Sequence, residues 1–146
     1  MASRKFEQSL VNDVIPYVEK NYRVKAGADH RAITGFSMGG FQTQNITNAN
    51  PALFRYIGVM SMGLPRIGGA YDQQAHVAQL QALKASSPKA YYVFCGKTDF
   101  LYASVTELRA LYEQIGINYV YRESEGGHTW MNWRRYLGEF APLLFK

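Results

Sequence analysis

Gly35-Phe36-Ser37-Met38-Gly39-Gly40 is the stretch on which the reading of this chain turns. It follows a short apolar run, Arg31-Ala32-Ile33-Thr34, and precedes a stretch with helical character through Gln42, Asn45 and Ile46. A strand, a sharp turn carrying a serine and then a helix is the context in which Gly-x-Ser-x-Gly has chemical meaning. Such a turn is expected to be too tight for a Cβ at Gly35 or Gly39. The Ser37 hydroxyl would then stand exposed above the sheet. The first N–H groups of the following helix, that of Met38 first, would point at the same place and could hold a developing negative charge. In a chain with 13 glycines the bare pattern is weak. The plain alternative is a glycine-rich turn with an ordinary surface serine, so partners must decide.

A serine nucleophile needs a histidine base, and the base needs a carboxylate to orient it. On α/β-hydrolase sheets these follow in the order Ser, Asp or Glu, His. The chain has three histidines, His30, His76 and His128. His30 precedes Ser37, against that order, and reads as a loop residue. His76 sits in a polar stretch, Tyr71-Asp72-Gln73-Gln74-Ala75-His76, that reads as a solvated helix start. His128 follows Glu125-Gly126-Gly127, directly after the alternating run Tyr119-Val120-Tyr121-Arg122. Loops at strand ends are where catalytic side chains gather. The acid candidate is Asp99, in the exit loop Gly96-Lys97-Thr98-Asp99 of the buried run Ala90-Tyr91-Tyr92-Val93-Phe94-Cys95. Its plain alternative is an N-cap for a helix starting near Ala103. Glu123 and Glu125 lie too close to His128 in sequence to be its obvious partner. Asp72 has no strand before it.

Composition sets the outer bounds. The chain has 146 residues, 47% apolar and 18% charged, which suits one domain with a modest core. No apolar run approaches the length of a membrane span, and the N-terminus reads as an amphipathic helix, not a signal peptide. The net charge of +5 is scattered, with basic pairs only at Arg4-Lys5 and Arg134-Arg135. A solvated basic surface is therefore expected, with no nucleic-acid partner. No Cys/His set has metal-ligand spacing, so no metal is expected. The single cysteine, Cys95, reads as a buried small hydrophobe and leaves the compartment open.

The element pattern is strand and helix in alternation. Phe6, Leu10, Val14, Val18 and Tyr22, with Val11 and Ile15 beside them, mark one face of a helix of about five turns, which Pro16 should kink. Strands are expected at Ile33, at Phe54–Met60, at Ala90–Cys95 and at Tyr119–Arg122. Helices are expected around Val77–Lys84, along Leu108, Leu111, Tyr112 and Ile115 up to Gly116, and along Trp130, Trp133, Leu137 and Phe140. Four strands, most of them near-continuous apolar runs, with helical crossovers imply a parallel α/β sheet.

Together, Gly35-Phe36-Ser37-Met38-Gly39-Gly40, Gly96-Lys97-Thr98-Asp99-Phe100 and Gly127-His128-Thr129-Trp130 followed by Trp133-Arg134 resemble the feruloyl and acetyl-xylan esterases of carbohydrate esterase family one. The segment Ile15-Pro16-Tyr17-Val18-Glu19-Lys20-Asn21-Tyr22-Arg23-Val24 resembles the part of those proteins that precedes the nucleophile strand. The resemblance covers nearly the whole chain. It implies an α/β-hydrolase fold, ester hydrolysis without a cofactor, a triad of Ser37, Asp99 and His128, and Met38 as one oxyanion donor. Enterochelin esterases and S-formylglutathione hydrolases share much of the pattern, but Trp-x-x-Trp-Arg after the histidine fits the latter less well. Secretion or a periplasmic location is suggested by the resemblance alone.

Members of that family carry a long stretch before the helix that opens this chain. It forms the first strands of their sheet and donates a second oxyanion N–H. Without it, the nucleophile strand becomes an edge with unpaired backbone and an exposed apolar flank, which invites another chain, such as a second copy completing the sheet. Aromatic residues near the site, Phe36, Phe100, Tyr102 and Trp130, could stack on a phenolic acyl group, the plain alternative for each being core packing, and Met62 and Leu64 could line its pocket. The expected substrate is therefore a small ester or a feruloylated or acetylated carbohydrate. Two readings of other kinds stay open: an inactive half-domain that docks a partner, and a carbohydrate-binding module using Trp130 and Trp133.

Overall fold

A computed structural model describes residues 4–146. Four strands, β1 (Ala32–Phe36), β2 (Tyr56–Met60), β3 (Ala90–Gly96) and β4 (Val120–Ser124), form one sheet in the order β1-β2-β3-β4, and every pairing is parallel. Helices alternate with them. α1 (Lys5–Ser9) and α2 (Ile15–Asn21) precede β1, and α3 (Met38–Ala49), α4 (Gln73–Ser86) and α5 (Tyr102–Ile115) are the crossovers. α6 (Trp130–Phe140) follows β4. The α/β class and the four parallel strands are those read from the sequence.

The central strands β2 and β3 are apolar on both faces because both faces are covered. Ile57, Val59, Tyr91, Val93 and Cys95 pack with Phe41 and Ile46 of α3, Leu80 and Leu83 of α4, and Leu108 and Tyr112 of α5. Tyr56, Met60 and Phe94 point the other way, onto Trp133, Tyr136 and Phe140 of α6. The strand period of two divides the residues between two cores. On α6 the buried stripe runs through Trp133, Tyr136 and Phe140, whereas Trp130 and Leu137, expected on the same buried face, are exposed. Gly116 ends α5 in the left-handed conformation with φ of +80°, as its place in the sequence implied.

The N-terminal helix departs from the expected single kinked rod. Between α1 and α2 the turn widens to a π-helix over Leu10–Val14, where Ile15 N–H donates to Leu10 O, five residues back. Pro16 has no N–H to continue a regular ladder, and the wide turn lies directly before it. Leu10, Val11 and Ile15 reach the first core, but Phe6, Val14 and Tyr22 stay exposed. Leu10, Val14, Ile15 and Val18 instead wall an apolar groove of about 560 Å³ together with Ile33, Phe54 and Phe145. This groove runs along β1, which ends the sheet on that side.

His76 corrects the sequence reading. It is buried and not solvated, with Nδ1 2.8 Å from the Tyr71 hydroxyl. Burial lowers its pKa from 6.5 to about 4, since the cation loses its hydration there. Asp72 N-caps α4, accepting from Ala75 N–H at 3.0 Å.

Candidate active site

Ser37 lies between the end of β1 and the start of α3, with φ of +52° and ψ of −121°. A serine pays strain to adopt that backbone, and such outliers mark sites where the surroundings fix a side chain for a purpose. The turn is pinned by Ser37 N–H, which donates to Met60 O on β2 at 3.0 Å. At Gly35 a Cβ would lie 2.3 Å from the backbone carbon of Gly39, so glycine is required there. At Gly39 a Cβ would meet nothing within 4 Å, contrary to the expectation that both glycines are needed. Gly39 contributes close backbone, and the next crowded position is Gly40, where a Cβ would lie 2.8 Å from that of Met62.

The parallel sheet brings three loops to one edge. Ser37 leaves β1, Asp99 follows β3 and His128 follows β4. His128 Nε2 is 2.9 Å from Ser37 Oγ, and His128 Nδ1 is 3.1 Å from each carboxylate oxygen of Asp99. An ionised carboxylate only accepts, so Nδ1 carries the hydrogen and Nε2 is left to accept from the serine hydroxyl. The Asp99 side chain is completely buried, and that of His128 is partly buried, 17% exposed. Asp99 Oδ1 also accepts from Leu101 N–H at 2.9 Å, so the carboxylate joins the entry to α5 as well as the imidazole. Leu101, not Asp99, is the N-cap of α5, so the cap reading gives way to an Asx turn just ahead of the helix.

The two loops that carry acid and base are joined directly. Lys97 N–H donates to Ser124 O at 2.9 Å and Thr98 N–H to Gly126 O at 3.1 Å. Asn132 Nδ2 donates to Glu125 O and Gly127 O, at 3.0 and 2.9 Å. Glu125 is engaged by Lys97 on the surface, and Glu123 accepts from Tyr102 and Tyr121 hydroxyls. Neither glutamate competes for His128.

A cleft of about 730 Å³ opens beside Ser37, walled by Phe36, Met38, Met60, Trp130, Trp133 and Leu137, with Arg134 at its margin. Phe36 and Trp130 both line this cleft. Phe100 is exposed and sets its ring 4.5 Å from the imidazole of His128. Met62 and Leu64 are a correction: both are buried in the first core and do not wall the cleft. Met60 and Leu137 line it instead. Met60 occupies a strand end and Leu137 shares a helix face with Trp130, a pairing visible in the spacing of α6. Among the described residues no group of His, Cys, Asp and Glu side chains is arranged to hold a metal ion, and no helix is long and apolar enough to cross a membrane.

A serine on a strained strand-to-helix turn of a parallel sheet, with its histidine and aspartate on later strand exits, is the arrangement of α/β-hydrolases. The chain belongs to the Esterase family, which it matches over residues 1–142. It is 34% identical over 151 residues to an endo-1,4-beta-xylanase/feruloyl esterase of Xylanibacter ruminicola, covering 99% of this chain and 18% of that protein. It is 27% identical over 171 residues to an acetyl esterase of Caldicellulosiruptor saccharolyticus, covering 97% of this chain and 64% of that one. Among solved structures, a ferulic acid esterase superposes with a TM-score of 0.75 at 26% identity, over 96% of this chain and 61% of its own. The chain thus spans less than two thirds of each of these proteins.

Proposed function

We propose that this chain carries a serine carboxylic-ester hydrolase site for plant cell-wall esters, feruloyl or acetyl groups on xylan. The observation that carries the reading is the hydrogen-bonded series Asp99, His128, Ser37 on a strained turn. The names of the relatives supply the substrate class.

In this reading the Ser37 Oγ attacks the ester carbonyl while His128 Nε2 takes its proton. Asp99 holds the Nδ1–H tautomer and stabilises the imidazolium. The carbonyl oxygen becomes an oxyanion against Met38 N–H, at the first turn of α3. His128 returns the proton to the departing alcohol. Water, deprotonated by His128, then attacks the acyl-Ser37 carbonyl, and acid and free Ser37 result. Loss of one oxyanion donor costs on the order of 10²–10³ in rate. Phe36 and Trp130 offer aromatic faces to a phenolic acyl group.

A second copy of the chain pairing along β1 is the accompanying proposal. It is favoured by the open apolar groove beside that edge strand. Light scattering tests it: a dimer is expected, and a monomer at high concentration contradicts it.

The functional test is hydrolysis of methyl ferulate and of acetylated xylan by the chain beside its Ser37→Ala variant. Release of ferulate or acetate that disappears with Ser37 supports the reading. Release unaffected by the substitution, or absent for both substrates, contradicts it. In the second case, binding to a partner without turnover becomes the better account of the open edge.

A further inference from the structure

Ser61 directly follows β2 and has φ of +50°, a left-handed backbone that side chains rarely adopt. It is completely buried. Its N–H donates to Phe94 O at 2.8 Å, and its Oγ accepts from Trp133 Nε1 at 3.0 Å. The carbonyl just before it, Met60 O, is the one that holds Ser37 N–H. The indole it anchors is equally placed. The Trp133 ring stacks on Phe36, the neighbour of Ser37, at 4.2 Å and 14°. It also meets the imidazole of His128 at 4.9 Å and 89°.

One residue thus touches both supports of the reacting pair, the backbone under the serine and the ring behind the histidine. We infer that Ser61 is a positioning residue: its hydroxyl fixes the rotation of Trp133, and Trp133 holds the His128 ring at the angle from which Nε2 reaches Ser37. The strained turn serves this purpose because it directs a hydroxyl from a strand end toward the indole. Trp133 is itself buried, so without that acceptor its N–H would be unpaired and the ring free to turn toward another partner. The link to catalysis rests on the esterase reading above; the link to His128 geometry does not.

The test compares the ring NMR chemical shifts of the three histidine side chains at pH 7 in the wild-type chain and two variants. Ser61→Gly keeps the left-handed turn and removes the hydroxyl. Trp133→Phe keeps an aromatic ring beside Phe36 and removes the N–H. In each, the ring proton and nitrogen chemical shifts of His128 are expected to change, with those of His30 and His76 unmoved and the double variant no worse than the larger single change. On p-nitrophenyl acetate kcat is expected to fall roughly tenfold with little change in KM. Ring shifts of His128 unchanged from the wild type in both variants overturn the inference. So does an equal disturbance of His76, which would mean only loosened packing. A wild-type chain without turnover would sink the esterase reading, and the His128 ring shifts would still decide the role of Ser61.

Discussion

His128 Nε2 stands 2.9 Å from Ser37 Oγ although the two residues are 91 positions apart in the chain. Three strand exits on one edge of a parallel sheet close that separation, and Asp99 enters from the exit between them. The orientation of the imidazole follows from Asp99, whose buried carboxylate can only accept.

Asp99→Asn should therefore damage turnover by tautomer more than by geometry. An amide at that position can donate to Nδ1, which leaves Nε2 protonated and unable to take the serine proton. The expected loss is about 10⁴-fold in kcat, against about 10⁶-fold for Ser37→Ala or His128→Ala. Steady-state kinetics on an activated acetyl ester measure this, and a silent Asp99→Asn would move the acid role elsewhere.

Gly35→Ala and Gly39→Ala should behave in opposite ways. A Cβ at Gly35 collides with Gly39 backbone at 2.3 Å, and backbone cannot swing aside as a side chain can. Urea unfolding should show a loss of about 3 kcal/mol or more. At Gly39, inside α3, a Cβ meets open space, and alanine should match or raise stability by up to ~1 kcal/mol. Equal effects at the two positions would contradict the geometry of the turn.

His76 should make the fold acid-sensitive over a defined range. It titrates near 6.5 when unfolded and at about 4 when folded. Between those values the unfolded chain binds a proton that the folded chain does not. Stability is then full above pH 6.5, declines as pH falls toward 4 and levels off below it. The upper bound is about 3 kcal/mol. Urea midpoints of the wild type and His76→Gln at pH 7 and pH 4.5 check this, and the variant should lose less.

Cys95 should be inert in the native protein. Burial, with the nearby charges of Asp99 and Glu123, pushes its thiol up to about 12. Because the thiolate is the reactive form, a disulfide reagent should modify one thiol per chain only after unfolding. Rapid modification of the folded chain would contradict the packing of β3.

Most of the fold was legible because parallel strands covered on both faces write themselves as apolar runs, as Tyr56–Met60 and Ala90–Gly96 do. The triad candidates were legible for a related reason: their residue types stood at strand exits. What local patterns did not carry was tertiary. Met62 and Leu64 looked like pocket residues because they follow a strand, yet the chain turns them into the core. His76 lay among polar neighbours, yet the α4 face it occupies is buried. The spacing of Trp130, Trp133, Leu137 and Phe140 fitted one helix face, but α6 is rotated so that Tyr136 replaces Leu137 in the buried stripe. Gly39 matched the motif without the crowding the motif implied.

The most direct test of an activated Ser37 is the intact mass of the chain after exposure to a fluorophosphonate. A single adduct on the wild type, absent from Ser37→Ala and from His128→Ala, is what the hydrogen-bonded Ser37–His128 pair predicts. An unmodified wild-type chain, or an adduct that survives loss of His128, would mean that the geometry does not activate the serine.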